Sequence, residues 1–425
     1  MSKNLLDCLK QRGFIDAITS DELDTLCEKP LKVYVGFDPT ADSLHLGNMV
    51  GIMALAWCQR FGHTPVVVLG GTSGSIGDPS GKSVERPLLD TETISHNVNS
   101  IRAHFDQILD SSGELPLPVV LNNDEWYAHF GLIDFLREIG KHFRVGPMLA
   151  KESVKTRLES EEGMSYTEFS YQLIQGYDYY YLHTHHDVTV QLGGSDQWGN
   201  ITAGIELTRK LTGNTVYGIT WPLLTRSDGK KFGKSEQGAI WLCSRRCSPY
   251  QFYQYLIRIP DSDVIKMMKI LTFMDLSEIS AIEEQMKQPE YVVNTAQKKL
   301  AEEVTRIVHG ELGVEKALRA TQAARPGKKA VLTAQVLSEA AADMPHVYLS
   351  MDEILGRKYA DLAVQTGLLS SKGEANRLIK NGGAYMNDEK IEDPQLEVKK
   401  SDLIEEKFLL IGAGKKKKML IKVNS

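Results

Sequence analysis

The feature of this chain that most constrains its fold is a short apolar strand that stops abruptly and leads into a helix. The segment 32–37 places Tyr34 between two valines, which is the composition of a buried strand. Pro39 ends this strand, and apolar residues at helical spacing then continue to Gly62, a suitable helix C-cap. A strand that passes directly into a helix is the building unit of a parallel α/β sheet.

The same alternation of short strands and helices extends over residues 1–245. We therefore predict an α/β fold with a Rossmann-like doubly wound parallel sheet that binds its ligand at the carboxyl ends of the strands. The strand-end loops 36–43 and 70–82 would face one crevice. Residues 246–350 predict an α-helical domain, with a loop near 323–329 and a linker at 343–351, and residues 351–425 predict a small α+β domain.

Two polar stretches far apart in the chain are candidates for a phosphate site. His45-Leu46-Gly47-Asn48 places His45 and Asn48 three apart on the first turn of the predicted helix, where free N–H groups favour phosphate. Lys231-Phe232-Gly233-Lys234-Ser235 is a loop whose lysines can close over a polyphosphate. Either stretch alone also fits an ordinary helix start or a solvated surface. Together they suggest a nucleoside triphosphate held from two sides.

A polar stripe within an apolar and aromatic segment suggests a second pocket. On a helix, Tyr171, Gln175 and Asp178 fall at positions i, i+4 and i+7, so they share one face. Such a stripe either lines a polar pocket or caps a core. A Tyr and an Asp at the far end of an apolar pocket would clasp a phenolic hydroxyl, while a Gln and a second Tyr would hold an ammonium group.

The glycine-rich segment 70–83 allows another interpretation, because it ends in Gly81-Lys82-Ser83 like a phosphate-binding P-loop. That motif requires Gly where this chain has Ile76, and Gly77 comes one residue late. The register therefore fails, and we predict a loop that approaches a ligand closely, with Asp78 placed to pair with an ammonium group.

Taken as a pair, in this order and at this separation, the two phosphate stretches resemble the HIGH and KMSKS signatures of class I aminoacyl-tRNA synthetases. Asn48 replaces the second His, and Phe232-Gly233 replaces Met-Ser. With Tyr34, the stripe on 171–178 and the segment 193–200, the chain resembles the bacterial tyrosyl-tRNA synthetase family over nearly its full length.

The resemblance implies a role for each matching residue. The tyrosine substrate would be bound at its hydroxyl by Tyr34 and Asp178, at its amino group by Asp78, Tyr171 and Gln175, and near its carboxylate by Gln197. ATP would be bound by Gly36, Asp38, Thr40, His45, Gly47, Asn48, Asp196, Lys231 and Lys234. The catalytic group would consist of Thr40, His45 and Asn48, together with Lys82, Arg86, Lys231 and Lys234 on the leaving pyrophosphate. ATP would enter with Mg²⁺, and no tightly bound protein metal is expected.

The C-terminal part has the opposite charge from the rest of the chain. The net charge of −6 divides into +4 for residues 357–425 and −10 for the remainder. A helix after Ser371 carries Lys372, Arg377 and Lys380, followed by a turn at Asn387-Asp388. This pattern resembles a small ribosomal-type RNA-binding module, in which Lys415, Lys416, Lys417 and Lys418 at a hairpin end would add phosphate contacts to the tRNA for tyrosine. Four lysines in a row also fit a solvated turn.

Other classes of protein are disfavoured. The chain has no apolar stretch of the ~20 residues that a membrane helix needs and no signal-peptide core, so we expect a cytoplasmic protein. The five cysteines are scattered and should be reduced. In a strand, His183 and His185 would share a face, but further zinc ligands are not evident, and a polar strand end is the preferred interpretation.

Two rival functions remain open on the sequence. A tryptophan-specific relative would share the ATP signatures, although an indole pocket gives no reason for a paired Tyr34 and Asp178. A non-catalytic RNA-binding protein with a synthetase-like shell is the second rival, and the presence of His45, Lys231 and Lys234 speaks against it. The resemblance also implies a homodimer, formed through the apolar segment 130–148.

Overall fold

The computed structural model describes residues 4–81, 88–161, 163–225, 227, 229, 232–235, 238–323, 334, 337, 338, 345–414 and 417–424. The chain divides into two compact units, one formed by residues 1–246 and 256–308 and the other by residues 247–255 and 309–425. The division into three domains at 245 and 350 stays a prediction.

The first unit is built on a six-stranded sheet with the strand order β1-β6-β5-β2-β3-β4. Its strands are β1 Ala17–Ile18, β2 Lys32–Phe37, β3 Thr64–Leu69, β4 Val119–Asn122, β5 Val188–Gly194 and β6 Tyr217–Trp221. Strands β2 to β6 pair in parallel, whereas β1 is antiparallel to β6. The predicted α/β class and the strand at 32–37 are confirmed, while the antiparallel edge strand was not predicted.

The helices of the first unit follow the strands along the chain. They are α1 Leu5–Arg12, α2 Leu23–Leu26, α3 Leu46–Arg60, α4 Gly71–Ile76, α5 Thr91–Ile108, α6 Asp124–Tyr127, α7 Leu132–Glu138, α8 Val145–Leu149, α9 Glu152–Leu158, α10 Tyr166–His186 and α11 Trp198–Thr212. Short 3₁₀ turns cover Gly140–His142 and Ser195–Gln197, and a small hairpin pairs β7 Lys234–Ser235 with β8 Gly238–Ala239.

Helix α3 lies at the centre of this unit. Leu46, Met49, Ile52, Met53 and Leu55 on α3 are completely buried. Burial of each such side chain contributes about 1.5–3 kcal/mol, so the helix that begins at the predicted phosphate site is firmly held. It ends at Arg60 with Phe61 as its C-cap, one residue before the predicted Gly62.

Two local predictions were wrong. The glycine-rich segment is not a loop throughout, because α4 forms within it, held by hydrogen bonds such as the one from the Thr72 N–H to the Asn123 side-chain oxygen (2.8 Å). The segment His183–His186 is not a strand but the last turn of α10. Asp187 adopts a positive φ of 55° and ends that helix.

The remaining helices before the C-terminal sheet are α12 Pro249–Ile257, α13 Asp261–Leu271, α14 Leu276–Met286 and α15 Thr295–Ala323. Helix α15 is interrupted at Gly310, which has non-helical backbone angles. The predicted loop at 323–329 lies outside the described residues after Ala323. None of the described helices combines the length and apolar character that crossing a lipid bilayer requires.

The second unit contains a five-stranded sheet with the order β11-β10-β12-β13-β9. Its elements are β9 His346–Leu349, α16 Met351–Ile354, α17 Tyr359–Gln365, α18 Lys372–Lys380, β10 Ala384–Met386, β11 Glu389–Lys390, a 3₁₀ turn at Lys400–Asp402, β12 Phe408–Ala413 and β13 Lys417–Val423. Leu362, Ala375, Leu409 and Ile421 belong to the core between the helices and one face of the sheet.

The predicted turn at Asn387-Asp388 is confirmed, since both residues have positive φ and join β10 to β11. The prediction of a linker at 343–351 was wrong for the described residues of this segment, 345–351. His346–Leu349 forms β9, which pairs in parallel with β13 and is therefore part of the sheet. Val347 and Leu349, which alternate along β9, pack into the core of this sheet. The helical stretch therefore ends before residue 346.

Candidate active site

A cavity of about 650 Å³ opens at the carboxyl ends of β2, β3 and β5. The predicted tyrosine and ATP contacts that line it are Tyr34, Gly36, Asp38, Thr40, His45, Gly47, Asn48, Asp78, Tyr171, Gln175, Asp178, Asp196 and Gln197. Lys82, Arg86 and Lys231 lie outside the described residues, and for Lys234 only the backbone of β7 is described. The fold thus brings into one cavity residues that are spread over the chain between β2 and α11.

The deep end of the cavity is built around the buried carboxylate of Asp178 on α10. Its Oδ1 accepts a hydrogen bond from the Trp126 indole N–H at 2.8 Å, and its Oδ2 accepts one from the Asn123 amide at 3.2 Å. Because each oxygen of a carboxylate can accept more than one hydrogen bond, both retain capacity for a further donor.

Burial changes the ionisation of this carboxylate. Desolvation raises the pKa of Asp178 to about 7, although the hydrogen bonds from Trp126 and Asn123 act in the opposite direction. The buried Tyr34 hydroxyl lines the same cavity, and its pKa is raised well above the usual value by burial and by Asp178. Within the described part of the chain this hydroxyl has no hydrogen-bond partner. The pair offers a strong acceptor and an unused hydroxyl to a ligand.

Hydrogen bonds connect the deep end of the cavity with the end of β2. The Asn123 amide also donates to Ser73 Oγ (3.1 Å), and the Ser73 hydroxyl donates to Asp38 Oδ1 (2.8 Å). The Tyr171 hydroxyl donates to Asp38 Oδ2 at 3.0 Å. The Tyr171 hydroxyl is thus directed at Asp38, one of the predicted ATP contacts.

A second polar group surrounds Asp78, which follows α4. Its Oδ2 accepts a hydrogen bond from the Gln197 amide (2.6 Å), and its Oδ1 accepts one from the Ser80 N–H (3.0 Å). The side-chain oxygens of Gln175 and Gln191 are buried at the cavity wall without a partner among the described residues. Carboxylate and amide oxygens gathered in this way suit a ligand that carries several N–H donors.

The start of α3 differs in detail from the prediction. His45 is not in the first turn but is the N-cap residue, and the helix begins at Leu46. The Asn48 N–H donates to His45 Nδ1 (3.2 Å), and the His45 N–H donates to the Asn48 side-chain oxygen (3.1 Å). Asn48 therefore completes a capping box, which gives a structural reason for an amide in place of the second His of the signature.

The two phosphate stretches lie side by side, although more than 180 residues separate them in the sequence. The Leu46 N–H donates to the Ile240 carbonyl (2.8 Å), and the Ile240 N–H donates to the Gly233 carbonyl (2.9 Å). Gly233 has a φ of +80°, and a Cβ placed on it would lie 2.9 Å from the Gly47 nitrogen. Only a glycine allows the loop to approach the helix start this closely.

Several residues of this site were missed by the sequence analysis. These residues belong to no recognisable short motif, and each has a role only because the fold places it beside Asp178 or in the cavity wall: Ser73, Asn123, Trp126 and Gln191. One signal was available: Asn123 directly follows β4, and ligand contacts of open α/β sheets cluster at strand ends.

The predicted RNA contacts of the second unit fall into two groups. Lys372, Arg377 and Lys380 are exposed on α18, where Lys372 also pairs with Asp361 (2.6 Å). The predicted hairpin is formed by β12 and β13, and Lys417 and Lys418 begin β13 at its closed end. The Lys418 side chain, however, is only 8% exposed and pairs with Asp388 at 2.6 Å. Lys417 is exposed at the start of β13, and Lys415 and Lys416 lie outside the described residues.

In the described part of the chain, no group of three or more His, Cys, Asp and Glu side chains is arranged to hold a metal ion. His183 is instead bound within the fold, through its Nδ1 near the Val188 carbonyl (2.9 Å) and its Nε2 near the Asn214 amide (3.1 Å).

Comparison with known proteins identifies the family. Residues 26–324 match the family described as "tRNA synthetases class I (W and Y)", and residues 337–421 match the "Tyrosine--tRNA ligase SYY-like C-terminal domain". The tyrosine–tRNA ligase of Protochlamydia amoebophila is 54% identical over 420 residues and covers 99% of both chains. The chloroplastic/mitochondrial tyrosine–tRNA ligase of Arabidopsis thaliana is 49% identical and covers 99% of this chain and 84% of its own.

Solved structures agree with this assignment. A C-terminally truncated mitochondrial tyrosyl-tRNA synthetase from Aspergillus nidulans has a TM-score of 0.66 at 31% identity and covers 75% of this chain and 94% of its own. A tryptophanyl-tRNA synthetase from Encephalitozoon cuniculi shares the fold, with a TM-score of 0.54 at 12% identity over 73% of this chain and 87% of its own. The chain therefore belongs to the class I tRNA synthetases of the tryptophan and tyrosine family.

Proposed function

We propose that the chain is a tyrosine–tRNA ligase: it activates L-tyrosine with ATP to tyrosyl-adenylate and pyrophosphate, and then transfers tyrosine to the 3′ end of its tRNA. The observation that carries this proposal is the deep end of the cavity, where Asp178 offers a carboxylate and Tyr34 a hydroxyl that has no hydrogen-bond partner among the described residues. Relatives 43–54% identical over almost the whole chain bear the same function in their names.

The deep end fits a phenol better than an indole. A phenolic hydroxyl both donates and accepts, so it would donate to Asp178 and accept from the Tyr34 hydroxyl. An indole N–H only donates and would leave the buried Tyr34 hydroxyl without a partner. An unsatisfied buried hydroxyl costs about 1–3 kcal/mol, which favours tyrosine over tryptophan.

The remaining polar groups would orient the substrate. Asp78, Gln175 and Tyr171 would hold the amino group, and Gln197 would lie near the carboxylate. Of these, Asp78 supplies the negative charge that an ammonium group requires, and the Gln175 oxygen, which has no partner in the part of the chain that the structure describes, supplies a second acceptor. The Tyr171 hydroxyl would remain on Asp38 or turn to the substrate when it enters.

ATP would bind along the start of α3. Gly36, Asp38, Thr40, Gly47 and Asp196 line the same cavity, and Asp196 would bind the ribose. His45 and Asn48 would present side-chain nitrogens to the phosphates, while the helix N-terminus favours the negative charge. ATP would enter as its Mg²⁺ complex, with the metal belonging to the substrate.

The reaction needs no covalent nucleophile from the protein. The tyrosine carboxylate attacks the α-phosphate, the bond to the β-phosphate breaks, and pyrophosphate leaves. The side chains of Lys82, Arg86, Lys231 and Lys234 would neutralise the charge that moves onto the pyrophosphate. Catalysis then comes from positioning and from charge stabilisation that strengthens as the transition state forms.

The test is amino-acid-dependent exchange between ATP and pyrophosphate, with each of the twenty amino acids offered separately. We expect efficient exchange with tyrosine alone, and exchange with phenylalanine should be slower by several orders of magnitude. Exchange with tryptophan would retain the ATP site and overturn the roles of Tyr34 and Asp178. Absence of exchange with every amino acid would favour a non-catalytic RNA-binding protein.

The basic C-terminal module would bind the tRNA for tyrosine through α18. Arg377→Ala combined with Lys380→Ala should weaken tRNA binding and reduce its salt slope by about two, because two phosphate contacts are lost. Lys399→Ala with Lys400→Ala removes the same charge from the module outside that helix and is the matched control. An equal effect of both double variants on the slope would refute a contact through α18.

A homodimer would form through the segment 130–148. Leu132, Ile133 and Val145 on this segment are 73%, 63% and 61% exposed, and large exposed apolar side chains in one segment suit an interface. Ile133→Glu should yield monomers in sedimentation velocity, whereas Val293→Glu, at an equally exposed valine elsewhere, should not. A cytoplasmic location is likewise proposed, and one relative is named chloroplastic/mitochondrial.

A further inference from the structure

The indole of Trp126 is held in two directions at once. Its N–H donates to Asp178 Oδ1 at 2.8 Å, and the face of its ring stacks on Tyr181 with a centroid distance of 4.7 Å and an interplanar angle of 18°. The side chain is only 5% exposed. One contact fixes the edge of the ring and the other fixes its plane, so the direction of the N–H is determined by both.

The opposite face of Tyr181 is also covered. The His185 ring stacks on it with a centroid distance of 4.1 Å and an interplanar angle of 14°. His185 is itself tied to the helix, because its Nδ1 lies 3.1 Å from the Tyr181 carbonyl and 2.9 Å from Thr184 Oγ1. The result is a three-ring column of Trp126, Tyr181 and His185 that runs from the pocket to the surface.

The spacing of the column on α10 explains its direction. Asp178, Tyr181 and His185 are separated by three and four residues, so they lie along one face of the helix. A single face of α10 therefore supplies both the acceptor for the indole N–H and the surface on which the indole rests.

The element that carries Trp126 has little stability of its own. Helix α6 spans only the four residues Asp124–Tyr127 and has no side-chain N-cap hydrogen bond. A single helical turn is not stable without tertiary packing. The stack of Trp126 on Tyr181 packs this turn against α10, together with the contacts of Tyr127 with Ile174 and Tyr177.

From this geometry we infer that Tyr181, supported by His185, is a positioning residue that sets the preference for tyrosine over phenylalanine. This inference rests on the proposed function. Tyr181 does not line the cavity. It acts through Trp126, because the stacked ring keeps the indole N–H on Asp178 and thereby keeps that carboxylate oriented toward the phenolic hydroxyl. Phenylalanine lacks the hydroxyl and gains nothing from this arrangement.

The experiment compares Tyr181→Leu, Tyr181→Phe and Tyr180→Leu in tyrosine-dependent and phenylalanine-dependent pyrophosphate exchange. Tyr181→Leu removes the stack, and we expect kcat/KM for tyrosine to fall about tenfold through KM, a factor that corresponds to about 1.4 kcal/mol. The KM for ATP and kcat/KM for phenylalanine should change by less than about twofold. Tyr181→Phe retains the ring and should restore the selectivity.

Tyr180→Leu is the matched control, because it removes a half-buried tyrosine from the same helix without touching the column. An equal loss of selectivity in Tyr180→Leu would show a general packing effect and overturn the inference. Should Tyr181→Leu fail to fold, His185→Ala removes only the outer ring. It should lower the selectivity about threefold, as the loss of one aromatic contact predicts, and an unchanged selectivity would refute the column's role.

A double-mutant cycle with Trp126→Phe separates the proposed route from other effects. Trp126→Phe keeps an aromatic ring on Tyr181 but removes the N–H, so Tyr181→Leu should have almost no further effect on selectivity in this background. A full additional tenfold loss there would show that Tyr181 does not act through the indole. If the unmodified protein shows no tyrosine-dependent exchange, the proposed function fails as well, whereas normal exchange with an unaffected Tyr181→Leu refutes only the positioning role.

Discussion

Asp178→Asn provides the sharpest test of the buried carboxylate. In the folded chain, burial raises the pKa of Asp178 from 3.8 to about 7. At pH values between 3.8 and 7, this carboxyl group is therefore protonated in the folded state and ionised in the unfolded state. The stabilising contribution is therefore fully present below about pH 4 and disappears as the pH rises through 7. At about 1.36 kcal/mol per unit of pKa, the full effect is about 4 kcal/mol.

The change in the free energy of unfolding over an experimentally convenient pH range follows from integrating the difference in bound protons between the two states. Between pH 5 and pH 7.5, titration of Asp178 should lower the free energy of unfolding by about 2.5 kcal/mol. The Asn variant does not titrate there. The difference in unfolding free energy, variant minus unmodified protein, should therefore move by about 2.5 kcal/mol in favour of the variant as the pH rises.

Urea denaturation of both proteins at the two pH values measures this difference. A difference that stays constant within about 0.5 kcal/mol would refute a raised pKa for this carboxylate. The same ionisation should govern activity: kcat/KM for tyrosine in pyrophosphate exchange should fall about tenfold per pH unit below 7 and level off above it. A profile that is flat from pH 6 to pH 8 would contradict the need for an ionised acceptor.

Three further substitutions test other parts of the first unit. Arg157→Met breaks the buried bidentate ion pair with Glu168 (2.8 and 3.1 Å). It should lower the free energy of unfolding, measured by urea denaturation, by about 3–5 kcal/mol, because it leaves the Glu168 carboxylate buried without its partner. The double variant Arg157→Met with Glu168→Leu should recover much of the lost stability. Lys234→Ala should lower the rate of tyrosine activation in single-turnover assays with little change in tyrosine affinity, and a raised KM at normal turnover would refute its role. Gly233→Ala forces a Cβ against the Gly47 nitrogen at a positive φ, and it should reduce kcat by at least about tenfold in exchange assays while the melting temperature changes little.

The sequence correctly predicted those elements whose conformation depends mainly on their own residues. The strand 32–37 was predicted with its observed bounds, and the stripe of Tyr171, Gln175 and Asp178 lies on α10 as its spacing requires. The turn at Asn387-Asp388 also formed as predicted, because these two residue types tolerate positive φ better than most.

The wrong predictions share a physical cause. Helix α4 forms in a glycine-rich segment that disfavours helix, because the side chains of Asn122 and Asn123 at the end of β4 accept its first N–H groups. The strand β9 looked like a linker, since a strand of four residues is defined by its partner β13 and not by its own sequence. Asn123 and Trp126 were missed for the same reason, as only the folded sheet brings them to Asp178.

The position of β9 in its sheet has a consequence for folding during synthesis. Among the described strands β9 pairs only with β13, in a register that joins His346 to Leu420, 74 positions later. While the ribosome makes the residues in between, β9 has no strand to pair with, and its backbone N–H and C=O groups remain available to a neighbouring nascent chain. Contacts of such long sequence separation also form slowly. The module therefore gains its full sheet in one late step, and removal of β13 would release β9 together with it.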